Sequence, residues 1–334
     1  MIPFCTIPAI VVLFTAAAPP AEVRPPVHAD EAAVIRQIIA VEGYAPQVAE
    51  MPGWRFSGMK KVLAELGREV DSLKGWQIDV KNDPRPHRGG FFACVYNPDG
   101  HILALSGNGP WLRNESLRAL RAMPELRSIR WDHNGFVANH PEVDLYDGSG
   151  FDALADSKLA DIKIGLGFND KGMEQVARIK ALRRFEVGHS RASAAGIAFF
   201  AGHPGLTSFS IAEMGSDRVT EQALATIARI PHLSHIGFHE CFVTYDRGFV
   251  HLAPLKGRLE EIDLSMSIFV PGDLDRLRAD HPGARIITLA PAEIVKRHRW
   301  IAQRLAERAS LEAAAPLKAA LAGAERNARP TDKR

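Results

Sequence analysis

The sequence predicts an α/β solenoid in which short parallel strands repeat along the chain and helical segments return between them. A phrase with apolar residues at positions 1, 4 and 6 occurs seven times between residues 126 and 289. Its first positions are separated by 33, 23, 24, 27, 26 and 25 residues. The segments between copies carry apolar residues at helical spacing, such as Met173, Val176 and Ile179. Repetition at this period is typical of stacked supersecondary units that present a long binding surface.

Each copy places its fourth and sixth residues on the inner face of a strand, with the first apolar residue just before the strand, and leaves the alternate residues for the other face. The copies are Leu126-Ile129-Trp131, Leu159-Ile162-Ile164, Leu182-Phe185-Val187, Leu206-Phe209-Ile211, Leu233-Ile236-Phe238, Leu259-Ile262-Leu264 and Ala284-Ile287-Leu289. An eighth unit precedes them, because Gly100 lies 26 residues before Leu126 and puts Asn108 at the ninth position, where Asn134 stands in the next unit. We therefore expect about eight repeats over residues 100–290.

These copies resemble the leucine-rich repeat (LRR) family, whose unit reads LxxLxLxxN/C followed by a helical or irregular return. The likeness is plainest in L182-RR-F-E-V, L206-TS-F-S-I and L233-SH-I-G-F-HE-C. It implies a right-handed α/β horseshoe arc with a concave parallel sheet and convex helices, of the ribonuclease-inhibitor-like or cysteine-containing repeat subtype and of a bacterial-type exported protein. Gly167 and Met214 depart from the ninth-position pattern, so we expect the internal hydrogen-bond ladder to be broken there.

Two segments precede the predicted folded region. Residues 1–18, MIPFCTIPAIVVLFTAAA, carry no charge and end in small residues, which predicts a secretory signal peptide and export to the periplasm or the cell exterior. An uncleaved anchor and a merely hydrophobic start are the alternatives, although a spanning helix needs ~20 apolar residues. Residues 19–29 are proline-rich and predict an extended linker.

Residues 30–99 predict an α+β N-terminal cap. A helix over 31–41 and a second from about 57 to 70 have clustered apolar residues, and they precede strands over 76–80 and 91–96. The exposed first edge of a repeat core requires such a cap.

Two further segments interrupt or end the repeat pattern. The long interval after Leu126 holds an insertion, residues 134–149, which predicts a loop on one rim, either for binding or as a tolerated insertion. Residues 291–334 predict a basic helix over 292–311, an interruption at Pro316 and a disordered tail. That helix meets an acidic partner or a membrane surface, or it covers the last repeat with its apolar side.

Composition and motifs give no indication of catalysis. The net charge of +2 provides no general reason to bind nucleic acid, and no GxSxG, P-loop, HExxH or GxGxxG arrangement suggests an enzyme, metal or cofactor. Cys94 and Cys241 are expected to be separate buried thiols. We expect a chain that does not insert into a membrane after maturation.

The candidate binding residues are the charged and histidine side chains at positions 3, 5 and 7 of each unit, which point away from the core. They are Arg130, Asp132, Lys163, Arg184, Glu186, His235, His239, Glu261 and Asp263. His235 and His239 would lie about 13 Å apart on one strand, too far to share a metal ion. Either histidine is instead expected to pair with a neighbouring carboxylate, in a pH-sensitive recognition patch or in ordinary cross-strand pairs. His133 and His189 are expected to be solvated rim residues.

These observations predict a non-enzymatic, exported scaffold that binds a protein partner through the concave sheet and the rim loop near 134–149. The alternative is an intracellular LRR subunit that recognises substrates for a larger assembly, like a ubiquitin-ligase adaptor. Neither prediction includes a cofactor, and the oligomeric state is left open.

Overall fold

A single mixed sheet organises this α/β protein, as a computed structural model of the chain shows. The structure describes residues 23–41, 44–81, 90–109, 113–131, 146–212, 217–289, 303, 305–307 and 311–328. Within them the sheet has eleven strands, and their order in space is their order in the chain. The arrangement is solenoid-like, because each strand pairs with its neighbours in sequence.

The strands change from antiparallel to parallel pairing at β4. They are β1 (Ala45–Ala49), β2 (Lys74–Lys81), β3 (Phe91–Tyr96), β4 (Ile102–Asn108), β5 (Ser128–Trp131), β6 (Asp161–Ile164), β7 (Arg184–Gly188), β8 (Ser208–Ala212), β9 (His235–Phe242), β10 (Glu261–Ile268) and β11 (Arg285–Thr288). Strands β1 to β4 are antiparallel, and every pair from β4 to β11 is parallel. Parallel neighbours require a crossover, which explains the long intervals between the apolar phrases.

A helical segment lies between each pair of consecutive parallel strands. The α-helices are α1 (Ala29–Ile39), α2 (Gly53–Glu65), α3 (Asn114–Ala119), α4 (Asp170–Val176), α5 (Ala194–Ile197), α6 (Asp217–Ile227), α7 (Pro271–Asp280) and α8 (Leu311–Ala328). Short 3₁₀ segments cover 120–122, 149–154, 198–200 and 249–255. The helical returns predicted from apolar spacing are therefore confirmed for α4 and α6.

The apolar phrases form the main core between the sheet and these returns. The inward residues of the first six copies are all buried. Phenylalanine side chains from successive units pack against one another in tilted and edge-to-face contacts: Phe185 lies 6.1 Å from Phe168 and 5.6 Å from Phe209 between ring centroids. Each such ring contributes about 1.5–3 kcal/mol by burial, so the stacking of neighbours provides the stability that one unit alone lacks.

The seventh copy of the phrase adopts a register one residue away from the predicted one. The phrase places Ile287 inward, but β11 aligns Ile286 with inward Ile262 and Ile287 with outward-facing Asp263. Leu289 accordingly packs in a separate apolar cluster with Phe242 and Ile268. The prediction is wrong because this strand is apolar on both faces, so alternation does not define its register.

The N-terminal cap continues the sheet of the repeats. Helix α1 and strands β2 and β3 lie close to their predicted positions, whereas α2 starts four residues earlier than predicted and β1 was not predicted. Buried Glu31 on α1 joins cap to repeats, since it accepts a 2.7 Å hydrogen bond from the backbone N–H of Ile102 and lies 2.7 Å from His101 Nδ1. Helix α2 packs on the opposite side of the sheet through Met59 and Leu63.

The C-terminal segment differs from its prediction where the structure describes it. Most of the predicted helix over 292–311 lies outside the described residues. Helix α8 runs through Pro316, so the predicted interruption is wrong, and so is the disorder predicted for residues up to 328. One proline removes a single backbone donor, and the surrounding alanines favour the helix. Leu317 of α8 is buried against Phe242 and Ile268, beside the ends of β9 and β10.

The two cysteines agree with the prediction that they are separate buried thiols. Cys94 and Cys241 are both buried and form no disulfide, and burial raises the pKa of the Cys94 thiol. In the described part of the chain, no helix combines the length and the apolar composition that a bilayer-spanning helix requires.

Candidate functional site

The candidate site is the face of β5 to β10 that points away from the main core, which we call the open face. Its residues alternate with the buried phrase residues and are mostly half-buried. Helix α2 lies beside β3 and β4 at one end, and α8 lies beside β10 at the other. The open face has two halves of different chemistry, with a strip of small residues between them.

The arginine half consists of Arg130, Asp161, Lys163, Arg184 and Glu186 on β5, β6 and β7. Arg130 donates to Asp161 at 3.2 Å and to Glu186 at 3.1 Å, and Lys163 Nζ lies 2.9 Å from the second oxygen of Glu186. Arg184 Nε lies 3.5 Å from Asp161, and its Nη1 donates to Glu65 of α2. Each carboxylate in this half therefore has arginine or lysine partners.

Asp161 is the centre of this network. It is 2 % exposed, and it also accepts a 2.7 Å hydrogen bond from the hydroxyl of Ser128, which is 1 % exposed. A buried carboxylate is stable only when it is paired and hydrogen-bonded. Asp161 and Ser128 therefore fix the positions of Arg130 and Arg184. The strand period places Asp161 and Ser128 on the outward face. It does not indicate that they are buried, because their burial depends on side chains of the neighbouring strands.

The histidine half consists of His235, His239, Glu261 and Asp263 on β9 and β10, with His189 and Glu240 at its margin. His235 Nδ1 lies 2.8 Å from the hydroxyl of Ser234, and Glu261 accepts a hydrogen bond from Arg285. His239 Nε2 lies 4.0 Å from Asp263 Oδ2. The structure therefore brings one histidine near a cross-strand carboxylate, as predicted, but leaves His235 with a serine.

His189 and Glu240 form a pair that the sequence did not predict. Both have a positive φ, 49° and 55°, which is uncommon outside glycine. Their Nε2 and Oε2 atoms are 3.4 Å apart across the end of β8, and each side chain is 15 % exposed. The expectation that His189 is a solvated rim residue is therefore wrong. A register irregularity between β9 and β10 turns Glu240 toward it, and no sequence pattern indicates that turn.

Small residues separate the two halves. They are Gly188 on β7, Ser208, Ser210 and Ala212 on β8, and Gly237 on β9. A Cβ at Gly237 would lie 2.5 Å from Ser210 Oγ and 3.2 Å from His239 Nε2. Gly237 is itself buried, so Ser210 and His239 close over its backbone and leave no room for a side chain there.

Part of the predicted site lies outside the described residues. Asp132, His133 and most of the 134–149 loop belong to this group. At the end of the loop, Asp147 accepts a 2.9 Å hydrogen bond from Asn114, and Tyr146 is buried. Within the described part of the chain, no group of three or more His, Cys, Asp or Glu side chains is arranged to hold a metal ion.

Comparison with models of known protein families finds no match for the chain. A search of curated proteins likewise finds no significant match. The chemistry of the open face therefore carries the functional argument on its own.

Proposed function

We propose that this chain is a non-enzymatic LRR scaffold, exported from the cell interior, that recognises a protein partner through its open face and the rim loop near 134–149. The main support is the open face itself. Ordered, half-buried charged and polar side chains occupy one side of a long sheet whose other side is filled by the core.

Recognition is favoured because hydrogen bonds and ion pairs hold these side chains in fixed positions. Arg130 and Arg184 are tied to a buried carboxylate, so they lose little further freedom when a partner binds. The same positions suit charge-guided selection of a partner, because paired charges at fixed sites favour one complementary surface and disfavour others.

The arrangement of units supports the LRR assignment. Parallel strands in chain order, with a return segment after each, are what the LRR resemblance leads one to expect. Ser267, at a ninth position, donates a 2.6 Å hydrogen bond to the carbonyl of Phe238 in the preceding unit. Such bonds are the internal ladder that the family pattern implies.

Capture of a partner by the purified chain tests the role of the open face. A Ser210→Arg substitution at its centre adds bulk and charge there, and we expect it to reduce capture of a specific protein by at least about tenfold. The matched control is Gln222→Arg, an exposed position on α6 on the helical side. Equal capture by Ser210→Arg and Gln222→Arg, with both folded by circular dichroism, would contradict the proposal.

The position of the first residue in the mature protein tests export. We expect mass spectrometry of the native protein to find an N-terminus beyond residue 18. An intact Met1 in the soluble cytosolic fraction would contradict export without bearing on the open face.

A further inference from the structure

We infer that the end of the sheet at β11 is an acid-sensitive unit that opens by itself as the pH falls, and that protonation of His281 opens it. The unit consists of α7, the turn after it and β11, residues 271–288, and we call it the end unit. His281 is the first residue after α7, and only 2 % of its surface is exposed. It is therefore a buried titratable group in the last unit of the described sheet.

A His-Pro-Gly motif occurs at the same place in two units. His203-Pro204-Gly205 comes directly before Leu206, and His281-Pro282-Gly283 comes directly before Ala284. Leu206 and Ala284 are each the first residue of a copy of the apolar phrase. Both histidines are buried, with 3 % and 2 % of their surfaces exposed. The two units therefore present a buried imidazole in the same sequence setting.

The two imidazoles differ in their hydrogen bonds. His203 Nε2 lies 3.1 Å from the carbonyl oxygen of Ile179 in the preceding unit, and its Nδ1 accepts a 3.2 Å hydrogen bond from the backbone N–H of Gly205. Among the described residues, neither ring nitrogen of His281 has a hydrogen-bond partner. A buried polar group without a partner destabilises the closed state, because water would satisfy it in the open state. The His281 ring therefore works against closure of the end unit at neutral pH.

Protonation of His281 favours opening further. Burial lowers the pKa of His281, and of the charged groups on neighbouring elements Asp280 on α7 raises it and Lys256, just after the 3₁₀ segment 249–255, lowers it. In the open unit the imidazole is in water and titrates near pH 6.5. Closure is therefore fully supported above about pH 6.5 and weakens as the pH falls toward the lowered value. Each pH unit in that window makes opening up to about tenfold more favourable.

The position of the end unit confines the opening to it. Strand β11 pairs with β10 alone among the described strands, and none of its residues 285–288 is buried. Strand β8, which follows His203, pairs with β7 on one side and with β9 on the other. A repeat stack is stabilised by contacts between neighbouring units, so a unit with one neighbour opens more readily than a unit with two. Protonation of His203 would have to disrupt the middle of the sheet, whereas protonation of His281 opens only its end.

Opening of the end unit also changes the open face. Arg285 of β11 pairs with Glu261 of β10. When β11 leaves the sheet, the histidine half loses this cation, whatever molecule binds there. The acid-sensitive unit thus lies beside one half of the open face and far along the sheet from the arginine half.

Hydrogen exchange measured by mass spectrometry on the full chain tests the inference. Peptides over 271–288 are compared with peptides over 194–212, which contain His203, at pH 7.5 and pH 5.0. Rates are expressed as protection factors, so that the intrinsic pH dependence of exchange is removed. We expect protection over 271–288 to fall at least about tenfold and protection over 194–212 to change less than about twofold. Equal falls in the two segments, or no fall over 271–288, would overturn the inference.

Two variants identify the titrating group. His281→Leu keeps the buried site apolar, and we expect protection over 271–288 to differ less than about twofold between the two pH values. His251→Leu changes an exposed histidine on the preceding return and is the matched control, which should retain the wild-type fall. His281→Gln, which is polar but does not titrate in this range, gives the same readout if the leucine variant does not fold. A fall that persists without the His281 imidazole would show that another group opens the unit.

Discussion

The two halves of the open face contain similar charged residues but pair them differently. In the arginine half, each carboxylate is satisfied by cations of the chain, around an aspartate that is almost fully buried. In the histidine half, an imidazole and a carboxylate oxygen approach each other at 4.0 Å without a hydrogen bond. The first arrangement stabilises the fold and holds charges in place, whereas the second leaves an imidazole and a carboxylate without a direct hydrogen bond between them.

The largest expected effect comes from breaking the arginine half. Arg130→Ala removes one of the two guanidinium groups that face buried Asp161, and we expect it to lower the free energy of unfolding by about 2–3 kcal/mol. Urea denaturation measures this change. Adding Asp161→Asn should recover part of the loss, because the neutral amide no longer needs the guanidinium. A loss below about 0.5 kcal/mol for Arg130→Ala would show that the network is not needed for stability.

A smaller effect should follow acidification, and it should originate on the helical side rather than on the open face. Burial lowers the pKa of His203 and of His281, and neither ring nitrogen of His281 has a hydrogen-bond partner among the described residues. The unfolded chain then binds protons at higher pH than the folded chain. Stability is therefore fully present above about pH 6.5 and falls as the pH drops toward the lowered values.

Urea titrations at pH 7.5 and pH 5.0 measure this loss, which should be smaller than that of Arg130→Ala. His281→Leu keeps the site apolar and should reduce the pH dependence. The same dependence in wild type and His281→Leu would place the titrating group elsewhere.

The smallest effect is expected where the margin of the histidine half is strained. His189→Gly removes the contact with Glu240 but allows the positive φ without a steric penalty. The lost contact and the relieved backbone strain oppose each other. The free energy of unfolding, measured by thermal denaturation, should therefore change by less than about 1 kcal/mol. A loss of several kcal/mol would make this pair a structural element like Asp161 and would weaken the contrast between the halves.

Much of the fold could be predicted because burial repeats with the chain. A strand with an apolar residue at every second position has one face for the core, and Phe185 and Val187 are buried as their alternation indicates. The same rule fails at β11, where neighbouring Ile286 and Ile287 put an apolar side chain on each face. It also misses β1, whose sequence APQVA has little of the apolar and β-branched character of a strand.

The candidate site was less predictable because its character depends on contacts between distant residues. The outward positions of Arg130 and Asp263 follow from the strand period, but their partners do not. Glu65 reaches Arg184 from 119 residues away, and His189 meets Glu240 only because β9 is irregular. Gly237 was visible only as a glycine in a strand, and the sequence did not indicate that Ser210 and His239 cover it.

The pairing of each strand with its sequence neighbours has a consequence for how such a molecule can change over generations. When one unit is duplicated or deleted at the DNA level, the remaining units can keep the same strand order and pairing. The length of the open face can therefore change by one whole unit at a time. The size of the surface that it can contact changes with it. Arg130 and its neighbours would keep their positions while new units are added beyond them.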